Sequence, residues 1–406
     1  MEELPNKKRI KYIHLILFLV TLATTTLSGT WWIYGRSILD PALTGQDVID
    51  GLYFSIPFLL ILSVHEFGHY FTAKYYNIDV TLPYFIPFFP FAFSIGTFGA
   101  VIRIKSKIES NTQNFDVGIA GPLAGFVVAL LVLYYGFTHL PEKEHIYNIH
   151  PEYEYFGDDY ELYVYDQDTF LLNQDLAKIN PMAAQNYPDT IWFRKDGPKI
   201  YLGDNLLFKF FKNYAVQDKS KVPNKHEIMH YPWLLAGFLA LFFTALNLIP
   251  IGQLDGGHVL YGLVGSKNHR LISSGVFIIF VFYAGLGVIN PHDVTQDLTD
   301  LVLYIPLYIF FLYIIFFSFS KEPKNRLMIA VVVFVLQFLT SYIYPEVHGY
   351  HGWLVIAFLI GRVLGVYHPP TLIEESIGTN RQILGWIALL IFIISFSPQP
   401  LIIEGM

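Results

Sequence analysis

Cysteine is absent from this chain of 406 residues. Disulfide bonds and thiolate metal ligands are therefore excluded, and any bound metal must use histidine, aspartate or glutamate. Charged residues are also scarce, at 15%, against the roughly 25% of ordinary globular proteins. The net charge of −7 is small and scattered along the chain, so we expect no nucleic-acid partner. An ordinary soluble domain is a poor match to this composition.

Long hydrophobic blocks stand in place of the missing charges, and hydrophobic residues make up 53% of the chain. Several blocks reach the roughly 18 residues that a bilayer-crossing helix requires. We predict an all-α polytopic membrane protein with about nine transmembrane helices embedded in a lipid bilayer. After an N-terminal span, the predicted spans cover 52–76, 116–137, 232–250, 271–289, 300–319, 327–344, 352–367 and 383–397.

Lysine and arginine set the predicted orientation. A basic cluster at 7–11 precedes the first span, which places the N-terminus in the cytoplasm, most simply at a bacterial inner membrane. The first helix is read as retained, with a cleaved signal peptide as the alternative. The short loops richest in Lys and Arg then alternate as the positive-inside rule requires. Span 352–367 is the weakest and has an interfacial helix as its alternative.

Five regions follow from this pattern. The longest polar stretch of the chain is predicted to be an extracytoplasmic insert. It is either a small folded unit of mixed type or a covering loop. The predicted regions are an N-terminal helix and loop (1–50), two core helices with a hairpin at 83–104 (51–139), the insert (140–231), a third core helix (232–265) and C-terminal transmembrane helices (266–406).

The run "SVHEFGHYF" places His65, Glu66 and His69 within an apolar span. Residues four apart share a helix face, so both imidazoles can bind one Zn²⁺ while Glu66 reaches a water molecule activated by the metal. A chance match is common on soluble helices. Ionisable groups inside a membrane are costly, however, and point to function. Catalysis is the leading interpretation, and a metal-transport site is the alternative.

A catalytic zinc takes three protein ligands and keeps one position open. Asp255 is the predicted third ligand, in the stretch "NLIPIGQLDGGHVL", where proline and glycines break the helix. Broken backbone at membrane depth is tolerated where it lines a cavity. His258 is a competing ligand, although we interpret it as a helix-end or supporting residue. Both parts of the site are predicted to lie in the inner half of the membrane.

Three blocks together resemble the site-2 protease family of intramembrane zinc metalloproteases, peptidase family M50. They are "HEFGH" at 65–69, "DVGIAGPLAGF" at 116–126 and "NLIPIGQLDGGH" at 247–258. The further segments "PYFIPF" and "GTFGAVIRIKS" are similar to the plant plastid and bacterial branch. Many relatives carry a PDZ-type domain between the second and third core helices, and no clear counterpart is visible here.

The resemblance implies one zinc ion per chain, held by His65, His69 and Asp255, with Glu66 as the catalytic base. Asn247 matches an active-site asparagine of the family. The hairpin at 83–104 is expected to pair with an unwound substrate strand through a substrate-binding set of residues. That set is Gly96, Gly99, Ala100 and Val101. A re-entrant loop that only packs is the alternative for this segment.

The expected activity is regulated cleavage of a single-pass membrane protein within or near its transmembrane segment. A zinc or cation transporter is the first alternative, but it requires polar groups on several helices, and the C-terminal spans have almost none. The second alternative is a membrane chaperone that has lost catalysis. Such a protein typically loses ligand or base positions, and all four are present here. The glycines of "GIAGPLAGF" are interpreted as close helix packing around the site.

Overall fold

The computed structural model describes residues 7–179, 190–197, 199–292 and 298–404. Most of these residues are helical. The long helices are α1 Lys7–Tyr34, α2 Gly45–Tyr75, α3 Asn111–Thr138, α6 Pro232–Asn247, α7 Asp255–Ala284, α8 Leu298–Ile315, α9 Pro323–Ile343 and α11 Thr379–Ser395. The short ones are α4 Asn173–Ile179, α5 Leu206–Tyr214 and α10 Trp353–Phe358.

In the part of the chain that the structure describes, six short strands form three two-stranded antiparallel sheets, β1 with β2, β3 with β4, and β5 with β6. The strands are β1 Tyr84–Pro87, β2 Thr97–Val101, β3 Thr169–Leu172, β4 Thr190–Phe193, β5 Lys199–Leu202 and β6 Leu401–Glu404. The chain is therefore mostly helical with small sheets.

Within the described residues, four helical segments are long and apolar enough to cross a membrane. They are Tyr12–Tyr34, Gly45–Tyr75, Asn111–Thr138 and Pro323–Ile343. Four further predicted spans appear as shorter apolar helices, and the span predicted at 271–289 falls largely in the second half of α7, beyond a break at Gly265 with φ of 75°. The membrane character of the chain holds, but the number of nine spans is not confirmed.

Helix α2 is anchored at its start by side chains. Thr44 accepts a hydrogen bond from the backbone of Asp47, whose carboxylate accepts one from the backbone of Thr44. This reciprocal cap satisfies two backbone donors that a helix start otherwise leaves free. Arg36 reaches the same carboxylate at 2.7 Å. The cap fixes the beginning of the helix that carries the metal-ligand motif.

Helices α2, α3 and α6 enclose the main core. Phe54, Phe115, Leu133, Leu235 and Leu241 are completely buried there. Between membrane helices, side chains buried in this way stabilise the contact by close packing. A second apolar cluster is built by the C-terminal helices around buried aromatic and aliphatic side chains, among them Phe277, Leu312, Phe316 and Trp353.

The β1–β2 hairpin lies along α1. The carbonyl of Pro83 lies 3.0 Å from Nδ1 of His14, and Thr24 donates a hydrogen bond of 2.7 Å to the carbonyl of Gly96. The ladder pairs Tyr84 with Val101, and the antiparallel approach continues beyond it. The hairpin predicted at 83–104 is therefore present, with α1 behind it.

The segment between α3 and α6 has a small apolar cluster of its own, formed by Ile146, Tyr153, Tyr160 and Val164. It contains short helical turns, the β3–β4 pair and strand β5. Strand β5 pairs with β6 from the end of the chain, with Lys199 opposite Glu404. This insert thus combines helical and strand elements. Among the described strands of the insert, β5 is the one that pairs with a strand outside it, β6. The predicted domain boundaries stay a prediction.

The loop before α11 folds back onto the start of α3. Asn111 donates to the carbonyl of Glu375 at 2.7 Å and accepts from its backbone N–H at 3.0 Å. Arg381 at the start of α11 contacts both carboxylate oxygens of Asp116, at 2.7 and 2.9 Å. Such bidentate pairs fix orientation as well as distance. The last helix is thereby fastened to the helix that packs behind the ligand motif.

Candidate metal centre

One face of α2 presents the three ionisable residues of the motif. His65 and Glu66 are each 6% exposed and His69 is 7% exposed. The four-residue spacing brings the imidazoles together, with Nε2 of His65 3.1 Å from Nε2 of His69. The spacing in the sequence predicted this pairing.

Asp255 completes the cluster from the first residue of α7. Its Oδ2 lies 3.5 Å from Nε2 of His65 and 3.3 Å from Nε2 of His69. The three donor atoms all lie within 4.8 Å of one another. Residues far apart in the sequence therefore point nitrogen and oxygen donors at a common centre.

The hydrogen bond behind His69 shows that this donor set fits a metal. Nδ1 of His69 lies 2.7 Å from the carbonyl of Val117, which can only accept, so Nδ1 carries the proton. In the neutral imidazole, Nε2 then presents a lone pair toward His65 and Asp255. A ligand histidine commonly donates its other nitrogen to a carbonyl in this way. Two imidazole nitrogens and a carboxylate oxygen that face one another can all bind a single divalent cation.

Glycines of α3 make room for these histidines. A methyl group on Gly121 would lie 2.1 Å from Nε2 of His69, and one on Gly125 would lie 3.0 Å from Cβ of His65. At Gly118 it would lie 2.6 Å from Cβ of His258. The sequence predicted close packing around the site. In the structure these glycines lie directly against the side chains of His65, His69 and His258.

The turn between α6 and α7 is also built by glycine. Gly252 has φ of 59°, a conformation that favours glycine. A methyl group on Gly256 would lie 2.1 Å from the carbonyl of Leu248, and one on Gly257 would lie 2.3 Å from that of Gly252. The chain can therefore fold tightly over itself and deliver Asp255 beside α2.

A cavity of about 450 Å³ opens onto the centre. The three ligand residues, Glu66 and Asn247 line it together with the second strand of the hairpin. The amide nitrogen of Asn247 lies 3.3 Å from Nε2 of His65. The predicted base and the predicted asparagine thus share one space with the ligands, and their catalytic roles stay predictions.

Only some of the predicted substrate-binding residues line the cavity in the structure. Gly99, Ala100 and Val101 line the cavity. Gly96 packs against α1 instead, where a methyl group would lie 2.3 Å from the carbonyl of Thr24. With φ of 76°, Gly96 forms the turn that enters β2, which is a structural position rather than a place in the cavity wall.

Two residues near the site were missed by the sequence reasoning. Nδ1 of His258 lies 2.8 Å from Nε2 of His368, so the competing ligand faces a second histidine. His368 opens the segment "HPPT", which carried no signal of its position. Arg381, which binds Asp116, is the second residue, and its contact was not predicted either. Both come from the far end of the chain, where spacing in sequence says nothing about contact.

Comparison with known families identifies the class of protein. The model of peptidase family M50 matches residues 53–288, which include both helices of the ligand cluster. This chain belongs to peptidase family M50.

The chain is similar to several plant proteins. It is 26% identical over 267 residues to "Probable zinc metalloprotease EGY2, chloroplastic" of Oryza sativa subsp. indica, covering 62% of this chain and 39% of that protein. It is 26% identical over 216 residues to "Probable zinc metalloprotease EGY1, chloroplastic" of Arabidopsis thaliana, covering 53% and 30%. The matched region thus spans about two fifths or less of these relatives. No solved structure matches the chain significantly.

These relatives agree with the resemblance to the plant plastid branch. Both are named as chloroplastic proteins. They give no support to a bacterial inner membrane or to a cytoplasmic N-terminus.

Proposed function

We propose that this chain is an intramembrane zinc metalloprotease that cleaves single-pass membrane proteins within or near their transmembrane segments. The observation that carries the proposal is the convergence of His65, His69 and Asp255 beside the buried carboxylate of Glu66, in a cavity between membrane helices. Membership of peptidase family M50 favours this function over metal transport or a chaperone role. The relatives named as zinc metalloproteases support zinc as the metal.

One zinc ion per chain is proposed at this centre, held by the two imidazoles and the aspartate. When bound there, zinc polarises a peptide carbonyl and makes a water molecule more acidic. Glu66 takes a proton from the attacking water and delivers one to the departing amine. Asn247 is within reach of His65 and hydrogen-bonds either the peptide or the developing oxyanion.

Strand β2 is the proposed place where substrate binds. One edge of β2 pairs with β1, and Gly99, Ala100 and Val101 of the same strand line the cavity. A transmembrane helix must unwind before its peptide bonds can be attacked. An unwound segment can add to β2 through backbone hydrogen bonds, which hold the peptide extended next to the centre.

The proposed topology places the N-terminus in the cytoplasm and the insert outside, and a bacterial inner membrane is the proposed location. Basic residues in alternate short loops support the orientation. The pairing of β5 with β6 supports one part of it, since the insert and the end of α11 must lie on the same side. Labelling of single introduced cysteines with an impermeant reagent tests the arrangement, because the native chain has none.

Substitution of Glu66 tests the proposed base. Glu66→Gln is expected to retain zinc and to slow cleavage of a helical single-pass substrate in detergent by about 10²–10⁴-fold. The exposed Glu154 provides the control, since Glu154→Gln should leave the rate unchanged. Cleavage at the full rate by Glu66→Gln would show that the base is assigned wrongly.

A further inference from the structure

A second cluster of donor atoms lies outside the membrane core. His150, Glu227 and His230 bring three ligand atoms within 4.8 Å of one another. His150 comes from the first part of the insert, whereas Glu227 and His230 lie immediately before α6. The side chain of Glu227 is only 1% exposed and that of His230 is 12% exposed. The beginning and the end of the insert (140–231) thus meet at this cluster.

Hydrogen bonds behind both imidazoles fix where their lone pairs point. Nδ1 of His230 lies 2.6 Å from the carbonyl of Ile33, and Nδ1 of His150 lies 3.2 Å from a carboxylate oxygen of Glu152. Both partners accept hydrogen bonds, so in neutral imidazoles each Nδ1 donates and each Nε2 is left with a free lone pair. The two Nε2 atoms face each other at 3.3 Å. Two lone pairs that face each other repel, and a cation bound between them removes this repulsion.

The carboxylate of Glu227 completes the set. Tyr165 donates a hydrogen bond to Oε1 of Glu227. The other oxygen, Oε2, lies 3.3 Å from Nε2 of His230, yet among the described residues it has no hydrogen-bond partner. Buried carboxylate oxygens are costly to leave unsatisfied. Oε2 is therefore free to bind a metal on the same side as the imidazoles.

We propose that His150, Glu227 and His230 form a second site for a divalent transition metal of the zinc type. Two imidazoles and one carboxylate are a donor set that suits zinc, and each is held from behind by a hydrogen bond, as ligands of metal sites are. The buried Glu152 adds a second negative charge that balances the dication. A cavity of about 420 Å³ adjoins His230.

The metal at this second site holds the beginning of the insert to its end, beside α1 and α6. The carbonyl behind His230 belongs to Ile33 near the end of α1, and α6 starts two residues beyond His230. One ion therefore links the insert, the end of α1 and the start of the helix that carries Asn247. This role is independent of the proposed peptidase chemistry.

Zinc content of the purified full-length chain tests the proposal. After equilibration in zinc-buffered solution, elemental analysis should give two zinc ions per wild-type chain and one for Glu227→Gln. Glu161→Gln is the matched control, because Glu161 lies nearby and hydrogen-bonds Asn224, outside the cluster. It should retain two. A wild-type content of one overturns the proposal without requiring any variant to fold.

Cobalt provides a second readout that separates the two centres. A His65→Ala/His69→Ala chain loaded with Co²⁺ should retain one equivalent with the visible absorption of a protein-bound ion, and adding Glu227→Gln should remove it. If the double variant shows only the spectrum of hydrated Co²⁺, the second site does not exist. The result does not depend on cleavage, so failure of this proposal and failure of the proposed protease activity are distinguishable.

Discussion

At the scale of single residues, the proposed zinc centre depends on a glycine of α3, Gly121. Gly121 faces the ring of His69 so closely that a methyl group would lie 2.1 Å from its Nε2. Gly121→Ala must therefore move the imidazole off the common centre. A loss of about 1.4 kcal/mol in metal binding weakens affinity tenfold, and we expect at least this loss in a zinc titration of the purified protein.

Gly275 offers the control for that substitution. It also lies within a helix, but a methyl group there has nothing within 4 Å. Gly275→Ala should leave zinc affinity unchanged and stabilise the chain by up to about 1 kcal/mol, because alanine favours the helix. Unaltered zinc binding in Gly121→Ala would contradict the arrangement of α2 and α3.

Asp255 and His258 can be told apart by the same titration. Asp255→Asn removes the anionic donor that lies within 3.5 Å of both imidazoles, so zinc content should fall well below one half at this centre. His258→Asn should keep it, because Nδ1 of His258 faces His368. Loss of zinc from the His258 variant alone would make His258 the third ligand.

At the scale of elements, an ion pair joins α11 to the core. Arg381 binds both oxygens of Asp116, and Tyr76 donates to the same carboxylate. Arg381→Lys keeps the charge but loses the planar two-pronged contact. We expect a loss of about 1–2 kcal/mol in the free energy of unfolding in detergent.

A double-mutant cycle with Asp116→Asn isolates that contact. The exposed Arg103 serves as the control, and Arg103→Lys should change stability by less than about 0.5 kcal/mol. Equal stabilities for the Arg381 and Arg103 variants would mean that α11 is held to the core by apolar packing alone.

The elements near the site show how far the sequence could lead. The pairing of His65 with His69 follows from helix geometry, and the broken helix before Asp255 indicated a site at membrane depth. The contact of His258 with His368 could not be predicted, because its partners are 110 residues apart. Gly96 was predicted to contact substrate, but it packs against α1. Alternation along a strand does not reveal which residues a neighbouring helix covers.

Helix lengths were predicted less well than helix positions. Hydropathy locates apolar blocks, but it does not show where backbone geometry interrupts them. Gly265 breaks α7 with a positive φ, and α10 continues as a π-helix that ends at Leu364. Apolar segments that read as complete spans in the sequence are thus shorter or bent in the structure, which leaves the number of membrane crossings open to topology mapping.

At the scale of the whole molecule, the insert is completed by the end of the chain. Strand β6 pairs with β5 through four residue pairs, from Lys199 with Glu404 to Leu202 with Leu401. Removing residues 401–406 leaves β5 with an open edge and removes the contact of Tyr201 with Glu404. We expect faster cleavage within the insert in limited proteolysis, by about tenfold, since local opening costs less.

A shorter truncation separates pairing from length. A chain ending at Glu404 keeps all of β6, so its insert should resist protease as well as the full chain does. If both truncated chains are cleaved at the rate of the full chain, the β5–β6 pair does not stabilise the insert.

The same strand pair has a consequence for biosynthesis. Lys199 leaves the ribosome about 200 residues before its partner Glu404. At about 5–20 residues per second, the wait is roughly 10–40 s. During that time β5 has no neighbouring strand, and the pair can form only after α11 has been synthesised. Quality-control proteases therefore meet a nascent chain whose insert has an unpaired strand until β6 has been made.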